Sequence, residues 1–306
     1  MLSLSTAYHI NKHSSWHSLL KATANLGFSA LELNIEMPKN WLPEIISSVA
    51  RGEIAISSLH NYCPRLNPVP KGRSIYSGYL MTSEDESERR MAVEYTNRTI
   101  EWAGKLGAKA VVLHAGEVST EPSGSEFFTY VRQFGTTGKL YNQYVERLSA
   151  DRKIKAPRAM DALKKCLDAC LKAAAKNNVK LCLENRYFLH EIPHIEEVLE
   201  LLKTFEGAPL AYWHDTGHAQ VFVNMGFVRD HKDFLNALHK HMFGMHLHDL
   251  HHISDHYAPG TGELDFTIFK PYVSEVAVKV VEAHSPQAGN TEVRNSIEHL
   301  KKTGVI

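Results

Sequence analysis

The feature that most narrows the fold is an alternation repeated along the whole chain. Short apolar segments recur, each separated from the next by residues of helical periodicity, and most of them end on a histidine or a carboxylate. Leu2–Thr6 is the first. Ala30–Leu33 runs to Asn34 and Glu36, Ile54–Leu59 ends at His60, and Ala110–Leu113 ends at His114. Val179–Leu183 ends at Glu184, Leu210–Trp213 leads to Asp215, Phe243–Met245 ends at His246, and Val278–Val281 ends at Glu282. Helical patterns lie between them. The first opens at a Ser15 cap and stops at Gly27, the second runs from Pro38 to about Ala50, and a long one spans Glu84–Leu106. Another starts at Pro157 and puts Met160, Leu163, Leu167, Cys170, Leu171 and Ala174 on one face. Further patterns cover Pro193–Phe205, Asp230–His241 and Thr291–Lys302.

Strands that alternate with helices form a parallel sheet. Eight such units in one 306-residue domain predict an α/β fold, a closed (β/α)8 TIM barrel. An open doubly wound sheet is the competing architecture, but no GxGxxG follows the first strand. Gly135-Thr136-Thr137-Gly138-Lys139 lacks the spacing and the preceding strand of a phosphate loop. Residues 116–154 exceed an ordinary connection and carry Phe127, Phe128, Tyr130, Phe134, Tyr141 and Tyr144. They are expected to be an insertion after strand 4 with some helix, acting as a lid or an oligomer contact, which leaves room for a homo-oligomer.

Composition excludes several classes. Lys+Arg and Asp+Glu both number 34, so the chain lacks the positive footprint of a general nucleic-acid binder. No apolar run approaches a membrane span, and MLSLSTAYHINKH has no signal-peptide organisation. Cys63, Cys166, Cys170 and Cys182 form no CxxC pair and no disulfide framework. A soluble cytoplasmic protein without a membrane partner is expected. The 19 histidines point elsewhere, because histidine is the commonest metal ligand and acid–base residue. Five of them crowd into FGMHLHDLHHISDHYAPGTG, residues 243–262.

In a barrel the C-terminal strand ends converge on one face. His60, His114, Glu184, Asp215, His246 and Glu282 would then become neighbours. Three crowded carboxylates repel one another, and a divalent cation resolves the conflict, with His246 as a fourth ligand. Such an oxygen-rich set favours one Mn²⁺, Mg²⁺ or Co²⁺, and admits Zn²⁺. His60 and His114 reach the same face, as metal or substrate contacts or as hydrogen-bonded structural residues. Glu32 and Glu36, at the end of the second strand, are candidates to reach the pocket, with surface exposure as the default. Tyr62, Trp213 and Tyr257 are candidates either for the walls of a sugar site or for core and rim packing.

Leu183-Glu184-Asn185-Arg186, His214-Asp215-Thr216-Gly217-His218-Ala219, His246-Leu247-His248-Asp249, Pro259-Gly260-Thr261-Gly262-Glu263-Leu264-Asp265-Phe266 and Val281-Glu282-Ala283-His284 together resemble a known group. It is the sugar phosphate isomerase/epimerase family of the xylose isomerase-like TIM barrel superfamily, which also holds the endonuclease IV-like nucleases. The resemblance implies that Glu184, Asp215, His246 and Glu282 bind the metal. It implies that Glu184 and Glu282 also move protons, and that His218 and His256 contact substrate. In the nuclease branch His60, His114, His218 and His256 resemble additional metal ligands, but the Asp expected two residues before His256 is Ser254 here. The second Glu of the ketose 3-epimerase branch has no clear counterpart, and His190 stands in its vicinity.

The expected function is therefore a metal-dependent isomerase or epimerase of sugars or sugar phosphates, working through a metal-stabilised enediolate. The other readings are a keto-inositol-type dehydratase of the same fold, an endonuclease IV-like phosphodiesterase on abasic DNA, and a non-catalytic sugar-binding barrel.

Overall fold

The computed structural model describes residues 1–71 and 73–306. Eight parallel strands close into a barrel in chain order: β1 (Leu2–Ser5), β2 (Ala30–Leu33), β3 (Ala55–His60), β4 (Ala110–Leu113), β5 (Lys180–Glu184), β6 (Leu210–Asp215), β7 (Met242–Leu247) and β8 (Val278–Val281). Closure comes from β8 pairing with β1, with Leu2 opposite Lys279 and Leu4 opposite Val281. The fold is the single-domain (β/α)8 barrel that the alternation predicts. Among the described residues, no helix is long and apolar enough to cross a membrane.

Side chains along a strand alternate between two faces. Here one face packs on the outer helices and the other fills the barrel. Ala110, Val112, Cys182, Ala211, Trp213, Val278 and Val280 form a compact interior cluster, all buried. Large and small residues interdigitate within it, as a filled barrel requires. Gly244 on β7 faces the Trp213 ring on β6, and a Cβ added at Gly244 would sit 2.0 Å from Trp213 Cζ3. Gly244→Ala is therefore expected to destabilise the protein by about 1–3 kcal/mol through overpacking, measured by urea unfolding. An unchanged midpoint would mean that the Trp213 ring is free to move aside.

The same alternation carries the polar residues inward. Glu184 stands two positions beyond Cys182, Asp215 two beyond Trp213, His246 two beyond Gly244 and Glu282 two beyond Val280. Each therefore caps an interior column at the C-terminal mouth.

The helices are α1 (Trp16–Asn25), α2 (Leu42–Ala50), α3 (Glu86–Lys105), α4 (Gly124–Phe134), α5 (Lys139–Asn177), α6 (Ile195–Thr204), α7 (Thr216–Asn224), α8 (His231–Leu238) and α9 (Asn290–Thr303). One sequence expectation needs correction. Pro157 does not start a helix; it lies inside α5, which runs 39 residues. Proline removes one i→i−4 hydrogen bond. The helix continues because Leu148, Ala156, Ala159, Met160 and Leu163 bury a continuous face on both sides of it. Residues 116–154 hold the two-residue strand Gly116–Glu117, α4 and the first part of α5. A capping box starts α4: Ser123 Oγ accepts from the Glu126 N–H at 3.3 Å, and Glu126 Oε2 accepts from the Ser123 N–H at 2.8 Å. Helix α7 went unread in the sequence, because a His-Asp-Thr-Gly-His start gives no apolar period until Val221.

Candidate metal centre at the barrel mouth

Glu184, Asp215, His246 and Glu282 meet at the barrel mouth, each offering one ligand atom within 4.8 Å of the others. Glu184, Asp215 and His246 are fully buried, and Glu282 is 6% exposed. His246 Nδ1 faces the three carboxylates. It lies 2.6 Å from Glu184 Oε1, 3.0 Å from Glu282 Oε2 and 3.7 Å from Asp215 Oδ2.

The outward groups fix these ligand atoms. Asp215 caps α7, and its Oδ1 accepts from the His218 N–H at 2.7 Å and contacts His248 Nε2 at 2.8 Å. His248 Nδ1 accepts the His256 N–H at 3.0 Å, which leaves Nε2 as the protonated nitrogen toward Asp215. Asp215 Oδ2 is buried and has no hydrogen-bond partner. Asn185 ties two strand ends together: its Oδ1 accepts from the Asp215 N–H at 2.8 Å and its Nδ2 donates to the Asp215 carbonyl at 3.0 Å. Asp249, two residues beyond Leu247, is not part of the cluster. Its carboxylate accepts from the N–H groups of Gly260 and Gly262 at 3.0 and 2.8 Å and organises the PGTG turn.

The deepest partner overturns only the default of surface exposure. Glu32 is fully buried rather than at the surface. Its Oε1 lies 2.9 Å from His246 Nε2, and its Oε2 accepts from Ser58 Oγ at 2.7 Å. This carboxylate–imidazole contact leaves Nδ1 as the ring atom turned to the cluster. Glu36, by contrast, stays at the rim and accepts from Asn11 and Tyr76.

The donor set fits a divalent cation. Glu32, Glu184, Asp215 and Glu282 bring four buried carboxylates around one imidazole, and the orphaned Asp215 Oδ2 points into their midst. Burial alone would lower the His246 pKa, but Glu282 and Glu32 outweigh it and hold it well above the usual histidine value. Burial raises the Glu282 carboxyl to about 8 despite the nearby His246. Burial acts the same way on Glu184, yet hydrogen bonds from His114 and His246 hold its carboxyl well below the usual range. Crowded carboxylates thus differ sharply in their hold on a proton.

Around this cluster lies a cleft of about 380 Å³. His60, His114, His218 and His256 all line it, together with Glu184 and Glu282. His114 Nε2 lies 3.0 Å from Glu184 Oε2, and His60 Nε2 lies 3.9 Å from the same oxygen. Burial drives the His60 pKa down to about 3, so its ring is neutral. His256 has φ +62°, a left-handed backbone unusual for a side chain of its size. Its Nδ1 lies 3.1 Å from Asp255 Oδ1, and its ring stacks on His284 at 3.8 Å and on His248 at 4.2 Å. Asp255, which pairs with His256, also lies 3.5 Å from His218 Nε2.

Several sequence candidates lie elsewhere. Tyr62 is buried, with its hydroxyl donated to the Tyr79 carbonyl at 2.6 Å and its ring near Tyr95. Trp213 is sealed in the barrel interior and meets His246 edge-on at 5.2 Å. Tyr257 packs on His251 at 4.7 Å. The aromatic rings that line the cleft are Tyr76 and Phe188. Arg186, which received no role from the sequence, donates from Nη1 to Glu184 Oε2 at 2.9 Å and from Nε to Glu191 Oε1 at 3.1 Å. Glu191, seven residues past the end of β5, is thus the acidic partner of Arg186, and it lines the cleft together with its neighbour His190. Its position directly after His190, five residues past Arg186, was the available signal.

A family model described as xylose isomerase-like TIM barrel matches residues 20–303. No curated protein matches the sequence. Among solved structures, a D-tagatose 3-epimerase-like protein is 19% identical, with 99% of this chain and 96% of that chain covered and a TM-score of 0.68. The 3-keto-D-glucoside 4-epimerase of E. coli is 14% identical over 98% of each chain, with a TM-score of 0.69. The D-psicose 3-epimerase of Clostridium cellulolyticum, solved with D-tagatose, is 13% identical over 100% of this chain and 99% of that one, with a TM-score of 0.68. At these identities the likeness is one of fold.

Proposed function

Because the chain belongs to the xylose isomerase-like TIM barrel family, we propose that it is a divalent-metal-dependent isomerase or epimerase acting on a ketose. The observation that carries this reading is the buried quartet of Glu184, Asp215, His246 and Glu282 at the mouth of a cleft of sugar-accommodating size. Structural neighbours that are named as ketose and keto-glucoside epimerases support it.

Moving a hydrogen at the carbon beside a carbonyl needs a base, an acid and stabilisation of the charge that develops on oxygen. A divalent cation held by the quartet would supply that stabilisation as a Lewis acid. Glu184 and Glu282 face the cleft from β5 and β8 and take the base and acid roles. Arg186 and His114 hold Glu184 Oε2, so its other oxygen keeps a fixed aim. His218 and His256 line the same cleft and bind the substrate hydroxyls. His60, neutral and buried, offers a further contact to the same oxygens.

The test is metal content by elemental analysis, followed by solvent-deuterium exchange into a panel of ketoses. About one Mn, Co, Mg or Zn ion per chain and exchange into at least one ketose are expected. One observation favours a second reading: His60, His114 and Glu184 form another group of ligand-type atoms beside the quartet. About two or three zinc ions per chain, with cleavage of abasic DNA and no exchange into any ketose, would replace the isomerase by a phosphodiesterase. Metal-free protein after reconstitution would remove both.

A further inference from the structure

Beside the metal cleft lies a second cavity of about 310 Å³. The two cavities share Arg186, Phe188 and His218 as lining residues. The remaining wall of the second is different in kind. Phe128, from α4, meets Phe188 at 5.0 Å and Tyr187 at 5.8 Å, both edge-on. The Arg132 guanidinium lies 5.1 Å above the Phe128 ring. Gln287 and Asp255 complete the polar side.

Helix α4 is tied to this cavity by Phe128 against Tyr187 and Phe188 and by Thr136, just past its end, which contacts His252 Nε2 at 3.2 Å. Across the wall the Tyr187 hydroxyl donates to the Ile253 carbonyl. The wall is built from five separate parts of the chain: α4, the segment after β5, α7, the segment after β7 and the segment after β8. None of these contacts is needed to assemble the metal quartet.

The main cleft is already within the range of about 300–1,000 Å³ that takes small ligands. A single sugar fits there and leaves the second cavity unused. The second cavity combines aromatic rings with two guanidiniums, Arg132 and Arg186, the Gln287 amide, the Ser254 hydroxyl and the Asp255 carboxylate. Rings of that kind cover the C–H face of a pyranose, and the polar groups donate to and accept from its hydroxyls. A phosphate is the poorer fit, because Arg186 is already paired with Glu184 and Glu191, and the other guanidinium, Arg132, shares the wall with the Asp255 carboxylate. An apolar tail is poorer too, because Arg132 and Gln287 would be left facing it.

We propose that the substrate is a glycosylated ketose, with the reacting ketose at the metal quartet and a glycosidically linked second sugar in the cavity under α4. This rests on the isomerase reading given above and adds the substrate class to it. Phe128 and Arg132 are then specificity residues for the appended sugar.

The experiment follows solvent-deuterium exchange by NMR with the metal-loaded enzyme. The substrates are the free ketoses D-fructose, D-tagatose and D-psicose, and the glycosylated ketoses lactulose, turanose, isomaltulose and 3-ketolactose. At least one glycosylated ketose is expected to exceed the best free ketose by about tenfold in kcat/KM. Phe128→Ala and Arg132→Ala are each expected to reduce that preference about tenfold, chiefly through KM for the glycosylated substrate. Arg132 is exposed, so its variant keeps the test alive if the Phe128 variant misfolds. Free ketoses that match or exceed every glycosylated one, or a preference that neither variant changes, would overturn the proposal and leave the isomerase reading intact. No exchange into any sugar would instead remove the isomerase reading, and this proposal with it.

Discussion

Glu184→Gln is expected to lower turnover by about 10³-fold or more while the protein stays folded. Glutamine keeps the shape of the side chain but loses its charge and its ability to take a proton. Both losses fall on the same residue. Glu184 Oε1 lies 2.6 Å from His246 Nδ1, at the centre of the quartet, while Oε2 receives the Arg186 guanidinium at 2.9 Å. The fold tolerates the change because Arg186 keeps a second carboxylate, Glu191, at 3.1 Å. Three readouts separate the effects: solvent exchange for the chemistry, elemental analysis for the metal, and thermal unfolding for the fold. A variant that keeps its fold and more than about a tenth of the wild-type exchange rate would remove Glu184 from the proton-transfer role.

The contrast between Glu184 and Glu32 shows where sequence reading succeeds and where it stops. Glu184 ends an apolar run, Leu181-Cys182-Leu183, so its delivery to the barrel mouth follows from local pattern alone. The same holds for His60, His114, Asp215, His246 and Glu282, which is why the fold and the centre of the site were legible together. Glu32 lies inside its run, between Leu31 and Leu33, and looks like the solvent face of an amphipathic strand. In a closed barrel that alternate face is the interior, and the group that satisfies Glu32 is 214 residues away on β7. No local pattern encodes such a pairing. His248 was obscured for a related reason. In a stretch with five histidines, only the fold separates His248, whose nitrogens engage Asp215 and the His256 backbone, from His246 in the quartet and His256 in the cleft wall. The continuation of α5 through Pro157 was illegible because local chemistry argues against it, and a long buried face overrides that preference.

Glu32 also makes the sharper test of how the centre is built. Removing a carboxylate that orients a metal-binding imidazole costs about 10–100-fold in metal affinity. Glu32→Ala is therefore expected to weaken divalent-metal binding by about that factor, measured by competition with a chromogenic chelator. Glu32→Gln, which keeps an oxygen to accept from His246 Nε2, should lose less. The ordering matters more than either value. If alignment of the ring is the role of Glu32, glutamine rescues most of the affinity. If its negative charge raises the donor strength of His246, glutamine and alanine fall together. A third outcome, with both variants within about twofold of wild type, would mean that packing alone holds the ring. The candidates for that packing are Trp213, edge-on at 5.2 Å, and His60, stacked at 5.9 Å. Neither reaches a ring nitrogen, so neither can choose which one carries the proton. On that ground the structure favours Glu32 as the residue that keeps Nδ1 free to bind.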